Sequence, residues 1–135
     1  MLIKFQFIFF ILLLFTSCGS EQKQSPTDKQ TKQTASLKMN KTGESLFKKT
    51  CNSCHINTMV SEMTAPPLGG VLEKRGKAWT YAYTRNAWAM YEQGDSIAAS
   101  LRAKGWGMMP TYENLSDADL DSLYAYIEYQ YQLHK

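Results

Sequence analysis

The chain is poor in cross-linking and metal-ligating side chains, with three cysteines and two histidines in 135 residues. Three cysteines cannot make the disulfide framework of a small secreted scaffold. A zinc site needs four ligands, and outside residues 51–55 only Cys18 and His134 remain. A membrane-crossing run is missing as well. The apolar stretch Phe5–Phe15, broken only by Gln6, falls short of the ~20 residues a helix needs to cross a bilayer. Charge of one sign is also lacking where it would matter. Residues 40–135 carry ten basic and ten acidic side chains, so the +3 of the whole chain belongs to the leading segment. Nucleic-acid binding, which wants a basic face on the folded part, is excluded on that ground.

What is present is concentrated in Cys51-Asn52-Ser53-Cys54-His55, the C-x-x-C-H pattern of covalent c-type haem attachment. Two thiols three residues apart share one face of a helical turn and can both reach one porphyrin. His55 then offers an imidazole nitrogen to the iron. A redox C-x-x-C pair would want a βαβ setting, and no strand-like alternating run flanks this stretch. A Cys51–Cys54 disulfide would leave His55 without a role.

Residues 1–17 read as an export signal, with Lys4 as the basic start and Phe5–Phe15 as the apolar region. Thr16-Ser17-Cys18 resembles the end of a bacterial lipoprotein signal, although Phe15 stands where that family usually has Leu. The resemblance implies cleavage before Cys18, a lipid on that sulfur, and a location on the periplasmic side of a bacterial membrane. An ordinary signal or an uncleaved anchor is the alternative. One cysteine for lipid and two for haem leaves no thiol over. Residues 18–39 are rich in Gln, Lys, Ser and Thr and too poor in apolar surface to fold, so a flexible tether is expected.

Residues 40–135 are expected to form one small all-α domain of four to five helices around one covalent haem. Thr42 can cap a helix from about Gly43 into the haem motif, with Leu46 and Phe47 inward. A second helix is expected over about Ala78–Tyr91, ended by Gly94, and a third over Ser96–Ala103, capped by Asp95. Ser116 and Asp119 form a capping-box pattern, with Leu115 and Leu120 as a staple. Leu120, Leu123, Tyr124 and Ile127 then make one helical stripe.

A second iron ligand must come from His134 or from methionines 39, 59, 63, 90, 108 and 109. His134 is penultimate, Met39 lies in the tether, Met59 and Met63 follow His55 too closely, and Met90 is mid-helix. Met108-Met109-Pro110 follows Gly105 and Gly107, where backbone can approach a ligand, and Pro110 favours an extended Met109. Met109 is the expected ligand and Met108 the alternative.

Together these pieces resemble a class I cytochrome c over nearly all of residues 40–135. Gly43, Phe47 and Cys51 stand at the family's four-residue intervals. Pro66-Pro67-Leu68-Gly69-Gly70 is similar to its G-P-x-L-x-G segment, with Ala65 in place of the first glycine. Met109-Pro110, Leu115-Ser116-Asp117 and Ala125-Tyr126-Ile127 follow in the family's order. The resemblance implies that the Pro66 carbonyl accepts the Nδ1 hydrogen of His55, and that Gly43 and Phe47 pack on Leu123 and Tyr126. It also implies a propionate hydrogen bond from Trp79. Arg85 is a further propionate candidate, with a solvated helix-face arginine as the alternative reading.

The implied function is one-electron transfer, without substrate turnover, by a membrane-tethered monohaem carrier. Its transient partners would be redox proteins of a respiratory chain, between a quinol-oxidising complex and a terminal oxidase. An electron-accepting subunit of a periplasmic dehydrogenase and a gas sensor with a displaceable Met109 are the alternatives. A peroxidase would need an open distal site, against which Met109 argues. Residues 41–85 hold seven basic and three acidic side chains, and residues 86–135 the reverse, so a dipolar surface is expected.

Overall fold

Asn40 opens the first helix, α1 (Lys41–Thr50), by accepting the Gly43 amide on its side-chain oxygen at 2.9 Å. Thr42, the expected cap, lies inside that helix instead. Both residues are capping types just ahead of the same glycine, and the one that adopts extended backbone takes the role. The computed structural model describes residues 38–135, so the signal and lipid readings at residues 1–17 and Cys18 fall outside the described residues. Met39, read as tether, packs against the core, and the folded part therefore begins before residue 40.

Among the described residues there are five helices and no strand. The expected all-α class is what the structure has. The four further helices are α2 (Val71–Arg75), α3 (Lys77–Glu92), α4 (Ser96–Ala103) and α5 (Asp117–His134). The sequence gives no sign of α2, since five residues are too few to show a period. Glycines at positive φ flank it, Gly70 (67°) and Gly76 (80°). Asp95 caps α4 by accepting the Ala98 amide at 2.8 Å. The capping box of α5 is complete. Ser116 Oγ accepts the Asp119 amide at 3.1 Å, and the Asp119 carboxylate accepts the Ser116 amide at 3.0 Å. Ser116→Ala is expected to lower stability by about 1 kcal/mol, read as a shift of the urea midpoint at unchanged slope.

The core forms where α1 crosses α5. Phe47, Leu120, Leu123 and Tyr126 are buried there, with the Phe47 and Tyr126 rings 5.6 Å apart at 49°. Burial of each large side chain contributes about 2 kcal/mol. Tyr126 packs there as expected, and its hydroxyl donates to Asn57 at 2.6 Å. Gly43 makes the crossing possible. A Cβ on it would stand 1.9 Å from the Ser122 carbonyl oxygen.

α3 is held to α5 by polar contacts placed at its inner face. The Tyr81 hydroxyl donates to Asp121 at 2.6 Å, and Lys77 pairs with the same carboxylate at 2.5 Å. These contacts, Lys77 first, hold the Asp121 carboxyl below its ordinary value. Thr84 donates to the Thr80 carbonyl, so the Tyr124 hydroxyl, 2.6 Å away, is the donor to Thr84. Burial pushes the Tyr124 phenol up to about 12. The helix is not continuous: Asn86 has φ −154° and ψ 80° and divides it into two stretches.

Candidate functional site

The chain leaves α1 in a tight turn that presents the C-x-x-C-H residues. The Cys51 amide still bonds the Phe47 carbonyl at 2.9 Å, and the Cys54 and His55 amides both return to the Cys51 carbonyl. Cys51 is buried and Cys54 half-buried, and no disulfide joins them. Burial pushes the Cys51 thiol up, with the Thr50 hydroxyl opposing it.

His55 is fixed by one contact. Its Nδ1 lies 2.8 Å from the Pro66 carbonyl oxygen. A carbonyl only accepts, so Nδ1 carries the proton and Nε2 keeps its lone pair. Nε2 has no hydrogen-bond partner among the described residues. Burial holds the imidazole below its ordinary pKa, more than the Pro66 contact raises it. The ring is therefore neutral at pH 7, in the tautomer that can ligate a metal through Nε2.

These residues line one wall of a cavity of about 610 Å³. Met108, Met109 and Pro110 belong to the same lining, as do Thr84 of α3, Leu101 of α4 and Tyr124 of α5. Sites for small molecules and cofactors usually enclose 300–1,000 Å³ and are mostly apolar. The lining fits a covalently held haem, offering two thiols, a nitrogen with a free lone pair, two thioethers and a largely apolar surround. Cys51, Cys54 and His55 can hold that group at the turn, and the methionines can supply a second sulfur ligand.

The structure thus brings Cys51, Cys54, His55, Pro66, Trp79 and Met109 to one cavity, with Met108 beside them. Two of the candidate side chains have partners other than a cofactor in the structure. Trp79 lines the cavity, but its indole N–H donates to Asp95 at 3.0 Å and is spent on the α4 cap. Its ring stacks on Tyr83 at 4.8 Å. Arg85 is not part of the lining. Its guanidinium donates to the Leu115 carbonyl at 2.9 Å and to Asp117 at 2.5 Å. In both cases the acceptor lies far along the chain, where no local pattern points to it.

Cationic side chains missed by the sequence reading stand on the cavity wall instead. Lys74 and Arg75 come from α2, and Arg102 and Lys104 from the end of α4. Among the described residues, Glu62 is the one carboxylate in the lining. Four cations around an apolar cavity suit a ligand with an apolar body and anionic edges, as haem is with its two propionates. The adjacent pairs Lys74-Arg75 and Arg102/Lys104 were the available signal, without meaning until α2 and α4 were placed.

A family model described as cytochrome C oxidase, cbb3-type, subunit III matches residues 38–127, more than half of the chain. The chain belongs to that family. Residues 38–127 span the haem-attachment turn, the Pro66 contact, the Met108–Met109 segment and most of α5. No curated protein and no solved structure matches the chain. The match makes this a c-type cytochrome domain with a covalently bound haem c and a role in electron transfer. The five-helix all-α fold agrees with it.

Proposed function

We propose that the protein is a membrane-tethered, monohaem one-electron carrier of a respiratory chain, lipid-anchored through Cys18 on the periplasmic side. The observation that supports it most is the convergence of Cys51, Cys54, His55 and Met108–Met109 on one cavity. Haem c held there supplies an iron(III)/iron(II) couple. Cys51 and Cys54 anchor it through thioether bonds. His55, its tautomer set by the Pro66 carbonyl, would offer Nε2 to the iron. Met109 would offer its sulfur as a second ligand, a donor that favours the reduced state relative to harder ligands. The apolar walls contributed by Leu101, Leu123 and Ile127 keep water out and so limit reorganisation on electron transfer. The cations Lys74, Arg75, Arg102 and Lys104 would hold the anionic edges of the group.

Four cations, Lys74, Arg75, Arg102 and Lys104, line the cavity, while Asp117, Asp119 and Asp121 stand in the first turns of α5, Asp117 and Asp121 paired with Arg85 and Lys77. An electrostatically steered, short-lived contact suits a carrier. A tether of about 20 residues would keep the domain at high effective concentration near membrane partners.

A second reading is favoured by the description of the matching family, which names a subunit of a cbb3-type oxidase. On that reading the domain passes electrons within a complex rather than between complexes. Changing Cys18 separates the two. In membranes washed with salt, Cys18→Ala is expected to release the haem-loaded protein into the soluble fraction. Retention of the variant with an oxidase on detergent extraction would favour the subunit reading. Rapid carbon monoxide binding by the reduced protein at neutral pH would instead indicate a displaceable Met109 and a sensor.

A further inference from the structure

The geometry points to Asn86 as a positioning residue for the Met108–Pro110 loop, acting by an exchange of hydrogen bonds inside α3. In an unbroken helix the Ala89 amide would bond the Arg85 carbonyl, four residues back. Asn86 leaves the helical conformation, and its Oδ1 takes the Ala89 amide at 2.9 Å. The side chain thus acts as an N-cap for the second stretch of α3. The Arg85 carbonyl, left without that partner, accepts the Tyr112 amide at 2.9 Å.

Two more bonds follow the same line. Asn86 Nδ2 donates to Glu113 at 2.6 Å, and Arg85 Nε donates to the Leu115 carbonyl at 2.9 Å. The segment 112–115 is therefore strapped to the break in α3. Tyr112 also reaches the other side of the site, its hydroxyl donating to the Thr50 carbonyl at 2.6 Å, one residue before Cys51. Met109 stands three residues before Tyr112, and Pro110 stiffens the chain between them. A strap at Tyr112 fixes the end of the loop whose methionines line the cavity.

The strap itself stands on the hydrogen bonds alone. Its consequence for the cofactor rests on the proposed ligation by Met109. Replacing Asn86 with Ala removes the capping oxygen, so the Ala89 amide can reclaim the Arg85 carbonyl and draw it away from Tyr112. The loop then loosens, and an added ligand displaces the methionine more easily. Asn86→Ser keeps a capping oxygen and loses only the Glu113 contact.

The test uses the full-length haem-loaded protein and two readouts. One is amide hydrogen exchange at Tyr112, and the other is the affinity of the oxidised protein for imidazole, the displacing probe. Asn86→Ala is expected to speed Tyr112 exchange roughly tenfold and to tighten imidazole binding by a similar factor. Exchange at Leu123 should not change, and Asn86→Ser should stay within about threefold of the native protein. Should Asn86→Ala fail to fold, Glu113→Ala at an exposed position cuts one leg of the strap. It is then expected to speed Tyr112 exchange about threefold.

Unchanged Tyr112 exchange in Asn86→Ala, or in Glu113→Ala where Asn86→Ala does not fold, would overturn the proposal. So would faster exchange with unchanged imidazole affinity, if Met109→Ala or Met108→Ala does raise that affinity. If neither methionine variant alters it, the ligand reading has failed, and Tyr112 exchange alone still decides whether Asn86 holds the strap.

Discussion

Gly43→Ala is expected to abolish accumulation of folded, haem-loaded protein, or to leave it at least about 3 kcal/mol less stable. The sign of this effect is the informative part. In an exposed helix interior, replacing Gly with Ala stabilises by about 1 kcal/mol. Here the new Cβ would lie 1.9 Å from the Ser122 carbonyl oxygen, 2.7 Å from its carbon and 2.8 Å from Tyr126 Cβ. Two of those atoms are backbone of α5 and cannot rotate away, so the helices must separate. Separation opens the interface that buries Phe47, Leu120, Leu123 and Tyr126. A domain of this size has only about 5–15 kcal/mol in hand. Thermal unfolding of the variant beside the native protein checks the claim. A Gly43→Ala protein as stable as the native one would mean that α1 and α5 do not cross as described.

Met109→Ala is expected to convert the oxidised protein from low-spin to high-spin and to lower its potential. A fall on the order of 100 mV fits within the ~0.8 V range that axial ligands span. Met108→Ala is expected to leave both properties close to native. The prediction separates two half-buried neighbours that share one cavity lining. Pro110 restricts Met109 to extended backbone, which presents it with little entropy left to lose. Optical spectra and a potential measured for each variant decide the assignment. A high-spin Met108→Ala beside a low-spin Met109→Ala would reverse it.

What the sequence made legible was whatever is encoded within a few residues. Asp95 and Ser116 announce the helices they cap, because an N-cap acts on an amide three residues away. The C-x-x-C-H turn is legible for the same reason. The stripe Leu120, Leu123, Tyr124 and Ile127 is buried as its period requires. Misreadings arose where two local signals compete or where the partner is remote. Asn40 and Thr42 are both capping residues, and only the backbone decides between them. Asn86 interrupts a helix whose apolar pattern continues past it, so the break could not be seen. Trp79 and Arg85 were recognisable as donors, but their acceptors, Asp95, Leu115 and Asp117, lie 16 to 32 residues away. The cations of α2 and α4 gained meaning only when the fold placed them at one cavity.

The central claim is that His55 and Met109 hold a single haem for reversible one-electron transfer. An optically monitored redox titration of the full-length, haem-loaded protein tests it most directly. The account predicts one haem per chain, one single-electron wave at a positive potential, and low-spin spectra in both oxidation states. A high-spin reduced form, or more than one wave from one haem, would contradict it.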